Sequence, residues 1–131
     1  MALQKQLTFS DLNLTFNKHP ITGAVSVLKN RDAVKRAVRN LIMTNFYERP
    51  YNPGFGGNVS ALLFENADNM TQIKVFNGIK QAIANWEPRA NLDNLIVDMD
   101  NDQNSLFVKI VFSINNIREP VELDILIDRT R

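Results

Sequence analysis

The sequence contains no cysteine and a single histidine, His19. The first absence excludes a disulfide framework, a thiolate nucleophile and any Cys-ligated zinc or iron–sulfur centre, and it fits a chain matured in a reducing compartment. The second excludes a multi-histidine metal site within one chain. No cofactor or metal is expected. An excess of one charge sign is also missing. Fifteen Lys and Arg face fourteen Asp and Glu, a formal net charge of +1, so no global field holds nucleic acid or an anionic membrane and any electrostatic role has to be local. No apolar run reaches the about 18 residues that a bilayer span requires, and the opening MALQKQLTFSDLNLTF lacks the apolar stretch of a secretory signal. The reading is a soluble chain with neither nucleic acid nor membrane as partner. Its 131 residues suit one core, and 1–131 is read as a single domain.

The patterning that is present divides the chain into a helical part and a β part. Residues 1–28 hold short apolar runs, Leu12/Leu14/Phe16 and Ala24/Val25/Val27/Leu28, broken by His19-Pro20 and Thr22-Gly23, and read as an irregular or strand-like lead-in. His19 reads as a turn residue, because nothing nominates a nucleophile for it to serve. From Asn30, a candidate N-cap, the spacing of Ala33, Val34, Ala37, Val38, Leu41 and Ile42 predicts a helix to near Phe46, with Lys35, Arg36 and Arg39 on its other face. The stretch ERPYNPGFGGN (48–58) is too rich in proline and glycine for regular structure and predicts a stiff, shaped loop. A short helix with Leu62, Leu63 and Phe64 as its apolar content follows. A longer helix runs from about Thr71 to Trp86, with Ile73, Phe76, Ile79, Ile83 and Trp86 as its stripe. Pro88 ends it.

Beyond Pro88 the period becomes two. Leu106, Val108, Ile110, Phe112 and Ile114 share one face of a strand, and Val121, Leu123, Ile125 and Ile127 share one face of another. Leu95, Ile96, Val97 and Met99 make a third strand, with turns at 100–104 and 115–119. The fold class is α+β: three N-terminal helix segments packed on a C-terminal three-stranded antiparallel meander, with the lead-in able to extend that sheet.

Charge is polarised along the chain. Lys29, Arg31, Lys35, Arg36 and Arg39 surround one acid, Asp32, whereas 93–128 carries Asp93, Asp98, Asp100, Asp102, Glu119, Glu122, Asp124 and Asp128 against Lys109 and Arg118. Two readings stay open: two solvated faces, or a docking surface on which an acidic strand edge receives a basic segment, or the reverse. Nucleic acid fits less well, since no aromatic residues interleave with the arginines. An enzyme would have to be built from carboxylates. Glu48, Glu65 and Glu87 each stand near an aromatic residue, but nothing in their spacing sets two of them across a cleft, as glycoside hydrolysis requires. The run Trp86-Glu87-Pro88-Arg89 is either a helix stop with a surface ion pair or a rigid fork held for a partner.

The order Leu41…Thr44, Glu48-Arg49-Pro50, Pro53-Gly54-Phe55-Gly56, Leu63-Phe64-Glu65 and Trp86-Glu87-Pro88-Arg89, with Pro20-Ile21-Thr22-Gly23 upstream, resembles the baseplate wedge proteins of contractile phage tails. This family is also called the sheath initiator and is shared with type VI secretion baseplates. The likeness covers nearly the whole chain, from about Leu12 to the last strand. One departure is Ala24, where relatives often carry an acid. The resemblance implies a structural virion protein without catalytic residues, located in the tail baseplate after synthesis in the host cytoplasm. It would form a six-fold ring around the tail tube and bind the tail sheath protein and the other wedge proteins. By that likeness Val121, Leu123, Ile125 and Ile127 lie on the strand to which sheath arms add. Arg89 carries the contact to the wedge proteins, with Glu87 orienting it, Pro88 setting the turn and Trp86 beside it. Arg49, Pro50, Phe55 and Gly56 form the supporting loop or a second contact. A lysozyme-like label attached to the family supplies the alternative, a carboxylate-dependent peptidoglycan-cleaving enzyme.

Overall fold

The computed structural model describes residues 9–13, 15–18, 20–24, 27–65, 68–100, 102–115 and 117–128. Leu14, His19 and Val25, the opening 1–8, the C-terminal 129–131 and the side chains of Val27, Leu28, Lys29 and Arg118 lie outside that description. The elements are β1 (Ser10–Leu12), β2 (Val27–Lys29), α1 (Arg31–Met43), α2 (Val59–Leu62), α3 (Asn69–Trp86), β3 (Ala90–Asp100), β4 (Ser105–Ile114) and β5 (Ile117–Asp128).

Strands β3, β4 and β5 form an antiparallel meander in that order. Its register stacks the alternating apolar residues on one face, with Leu106 opposite Ile127, Val108 opposite Ile125, Ile110 opposite Leu123 and Phe112 opposite Val121. All eight are buried. The two-residue period of each strand is thus the core face of the sheet. Helix α1 lies over β5 and α3 over β3, and Val34, Val38, Leu41, Ile42, Val75, Ile79 and Ile83 complete one continuous core. Each such side chain removed from water contributes about 1.5–3 kcal/mol before the entropy of ordering is subtracted. The architecture is α+β, as the patterning implies. No helix among the described residues is long and apolar enough to cross a membrane.

Several boundaries differ from the sequence reading for local reasons. The described strands of the lead-in do not join the meander. Instead β1 and β2 pair with each other, Ser10 with Lys29 and Leu12 with Val27, as a separate two-stranded sheet, a pairing that closes a far shorter loop than one with β5 would. Asn30 occupies the N-cap position of α1 with φ 50° and makes no side-chain cap. Its Oδ1 accepts from the Phe9 amide at 3.3 Å, and its own amide donates to the Phe9 carbonyl at 2.6 Å. Helix α1 stops at Met43 rather than near Phe46, because Thr44 turns extended and its hydroxyl and amide both bond back to the Asn40 carbonyl. Helix α2 spans Val59 to Leu62, so Leu63 is its C-cap and Phe64 is exposed.

The stripe of α3 is rotated from the expected one. Thr71, Val75, Ile79, Ala82 and Ile83 are buried, whereas Ile73 is 54% and Phe76 37% exposed. Apolar residues surround much of this helix, and the face that carries Val75 and Ala82 is the one buried as α3 packs on β3. Strand β3 begins at Ala90, earlier than its apolar run suggests, and a bulge between Leu92 and Asn94 absorbs the polar stretch. The second hairpin is tighter than 115–119, since Ile114 already pairs with Ile117.

Candidate functional site

The proline- and glycine-rich loop after α1 is shaped by the end of that helix. The amide of Gly57 donates to the Leu41 carbonyl at 3.0 Å and that of Asn58 to the Thr44 carbonyl at 3.3 Å, so the loop satisfies acceptors that a helix C-terminus leaves open. Gly56, at φ 128° and buried, passes so close to the Thr44 carbonyl that no β-carbon fits. The loop tip is held by the Tyr47 amide, which donates to the Pro53 carbonyl at 2.9 Å. Tyr47, Tyr51 and Pro50 face solvent.

This folding carries Phe55 onto the last residue of α3. The rings of Phe55 and Trp86 meet edge to face at 5.4 Å, and the Arg49 guanidinium lies over the Phe55 ring at 3.9 Å from its centroid. Three residues singled out separately in the sequence thus form one stack, with Trp86 still 38% exposed.

The fork beside it is locked from within. Glu87, 6% exposed, accepts from Arg89 Nε at 2.6 Å and Nη2 at 3.1 Å, a two-point carboxylate–guanidinium pair. Asp11 of β1 accepts from the same Nη2 at 3.4 Å, and the Phe9 ring lies 5.5 Å from the guanidinium carbon. Hydrogen bonding to Glu87 is the main cause that raises the Arg89 pKa above its ordinary value, with the charges of Glu87 and Asp11 adding to it and burial opposing it. Among the described residues Nη1 has no hydrogen-bond partner. Pro88 sets the turn, and its carbonyl accepts from Asn115 Nδ2 at 3.3 Å, while the Asn115 amide donates to the Arg89 carbonyl at 3.1 Å. The corner is therefore riveted to the β4–β5 hairpin on one side and the lead-in on the other. Sequence reading missed Phe9 and Asp11. Asp11 lies 78 residues from Arg89, and no local signal joins them.

The four residues assigned to strand addition, Val121, Leu123, Ile125 and Ile127, all point their side chains into the core. What they present outward is backbone. Among the described residues β5 pairs only with β4, and no described strand lies along its other edge. The opposite edge, β3, is interrupted by its bulge, a device that discourages pairing.

The three carboxylates considered for catalysis are engaged separately. Glu48 accepts from Asn45 Nδ2 at 3.1 Å, Glu65 pairs with Lys74 at 2.8 Å, and Glu87 holds Arg89. Among the described residues no group of three or more acidic or histidine side chains is arranged to hold a metal ion.

A family model described as baseplate wedge protein gp25 matches residues 28–118. Baseplate wedge protein gp25 of Enterobacteria phage T4 is 34% identical over 92 residues, covering 69% of this chain and 68% of that one. A chain from the six-fold symmetrised baseplate of the anti-feeding prophage superposes with a TM-score of 0.72 at 29% identity, covering 86% of this chain and 90% of that one. Two further structures share the fold alone. A candidate tail lysozyme from Geobacter sulfurreducens has a TM-score of 0.71 at 20% identity, with 82% and 98% covered, and a chain of the postcontracted pyocin R2 baseplate has 0.59 at 15%, with 75% and 96% covered.

Proposed function

The chain belongs to the baseplate wedge protein gp25 family, structural proteins of contractile-tail baseplates that act among other baseplate proteins, and from that premise we propose how it joins two parts of the particle. The meander is a platform: the tail sheath protein adds an extended arm to the outer edge of β5, and the first sheath ring grows from that arm. The corner made by Arg49, Phe55, Trp86, Glu87, Pro88 and Arg89 docks on the remaining wedge proteins, and copies stand in a six-fold ring around the tail tube.

The observation that carries this reading is the β5 edge. From Val121 to Asp128 it is regular, every second side chain is anchored in the core, and its outward backbone groups have no strand partner among the described residues. Backbone donors and acceptors in a fixed row are what strand addition uses, and the anchored side chains hold the register. The enzyme reading draws nothing from the three glutamates, each of which is occupied by a different neighbour. Hydrogen–deuterium exchange of the full chain with and without the tail sheath protein tests the proposal. Protection of β5 amides with β3 unchanged is the expected result. Unchanged exchange on β5, or protection confined to β3, would refute it.

A further inference from the structure

The basic face of α1, which the sequence leaves as either a solvated surface or a docking surface, lies beside the edge where a strand would arrive. A groove of about 440 Å³ runs between the lead-in at Asn13 and Asn17, the α1 side chains Lys35, Arg36 and Arg39, and Leu123 of β5. Among the described residues none of these three cations forms an ion pair, although Asp32 lines the same groove. Three unneutralised cations along a groove favour an anionic occupant.

The pleat turns this into a pattern. Residues of β5 alternate between the helix side, where Val121, Leu123, Ile125 and Ile127 are buried, and the outer side, where Glu122, Asp124, Leu126 and Asp128 are exposed. Of the three acids, Glu122 is paired with Lys109 of β4 at 3.3 Å, and Asp124 and Asp128 form no ion pair among the described residues. A strand added to this edge alternates in the same way. Its helix-side residues enter the groove beside Lys35, Arg36 and Arg39, and its outer residues come to lie opposite Glu122, Asp124 and Asp128. Like charges directly opposite each other on a sheet are destabilising, and unlike charges are favourable. We infer that the segment taken by β5 is an extended peptide of two-sided charge, acidic on the side turned to α1 and basic on the outer side. A basic arm on an acidic edge, as the sequence alone suggests, is half of this pattern. The inference rests on the reading that a strand adds to β5. It departs from binding of phosphate or nucleic acid, which would use the cations but meet repulsion from the acids.

The test uses the full-length, isotopically labelled chain and three end-blocked eight-residue peptides: alternating Glu-Lys, alternating Glu-Thr and alternating Lys-Thr. The Glu-Lys peptide is expected to bind most tightly and to shift amide resonances of β5 and the groove side of α1. The double variant Arg36→Glu with Arg39→Glu should weaken the Glu-Lys and Glu-Thr peptides by about tenfold or more and leave Lys-Thr as tight or tighter. Arg39→Glu alone, at an exposed position, should give a smaller loss of the same kind and serves should the double variant misfold. The inference is overturned if Lys-Thr binds the unchanged chain as tightly as Glu-Lys, or if charge reversal has no effect. It is equally overturned if the shifts map to β3, if no peptide binds at millimolar concentration, or if inorganic phosphate or an oligonucleotide perturbs these residues more strongly. Failure of the two readings is separable. Protection of β5 by the sheath protein with failed peptide discrimination removes only the charge pattern. Discrimination without sheath protection removes the sheath assignment and leaves the groove's preference standing.

Discussion

Gly56 and Arg89 show how much rests on single residues. At φ 128° with the Thr44 carbonyl against it, Gly56 is the point where the loop turns back over the end of α1. Gly56→Ala is expected to cost about 2–4 kcal/mol in urea denaturation, from backbone strain and the collision together. Gly54→Ala, with open space around the added carbon, should stay within about 0.5 kcal/mol. Arg89 has a double office. Its Nε and Nη2 neutralise a buried carboxylate, and among the described residues Nη1 has no hydrogen-bond partner. Arg89→Ala should therefore lower the stability of the isolated chain by about 2–3 kcal/mol, since Glu87 would remain buried without its counter-charge, and Glu87→Gln added to it should restore part of the loss. Equal stability of the Arg89→Ala variant and the parent would show that the pair contributes nothing. A docking role for Arg89 has to be measured against that background, and exposed loop positions such as Tyr51 report docking without disturbing the core.

Among the elements, α3 is the one whose start is set by a charge. Asp68 Oδ1 accepts from the Thr71 amide at 2.8 Å and the Thr71 hydroxyl at 3.0 Å. The backbone hydrogen bond is the largest cause that lowers the Asp68 pKa from its ordinary 3.8, followed by the Thr71 hydroxyl. A carboxyl whose folded pKa is depressed stabilises the fold fully above its unfolded value, and that contribution disappears as pH falls through the lower folded value. Between neutral pH and pH 5 the cap is therefore intact, and its contribution declines below about 4. Asp68→Asn, which keeps a capping oxygen without the titration, should flatten the acid limb of a plot of melting temperature against pH. An unaltered acid limb would show that this cap does not contribute. The same helix explains a misreading. Ile79 and Ile83 belong to both possible stripes, so periodicity alone did not choose between Ile73/Phe76 and Val75/Ala82, and packing in the tertiary structure did.

In the whole molecule, β4 is the centre of gravity. It pairs with a strand on both sides, and its Leu106, Val108, Ile110, Phe112 and Ile114 are buried. Its amides are expected to exchange only on global unfolding. The β1–β2 ladder, with three residue pairs, should exchange by local opening, orders of magnitude faster. Native-state hydrogen exchange checks this, and comparable rates for the two ladders would mean that the lead-in folds as part of the core. The contacts by which the lead-in would do so are those of Asp11 and Phe9 with Arg89.

The three strands, the core faces of β4 and β5, the basic face of α1, the stiff loop and the stop at Pro88 follow from sequence, because periodicity and backbone chemistry act over a few residues and each residue carries its own share of the signal. The tertiary structure decided the remainder: the stack of Arg49, Phe55 and Trp86, the capture of Arg89 by Glu87 and Asp11, the orientation of α3, and the meeting of the cations of α1 with the edge of β5. These depend on which surfaces come to lie against each other once the apolar faces are buried, and contacts between residues tens of positions apart leave no periodic trace along the chain.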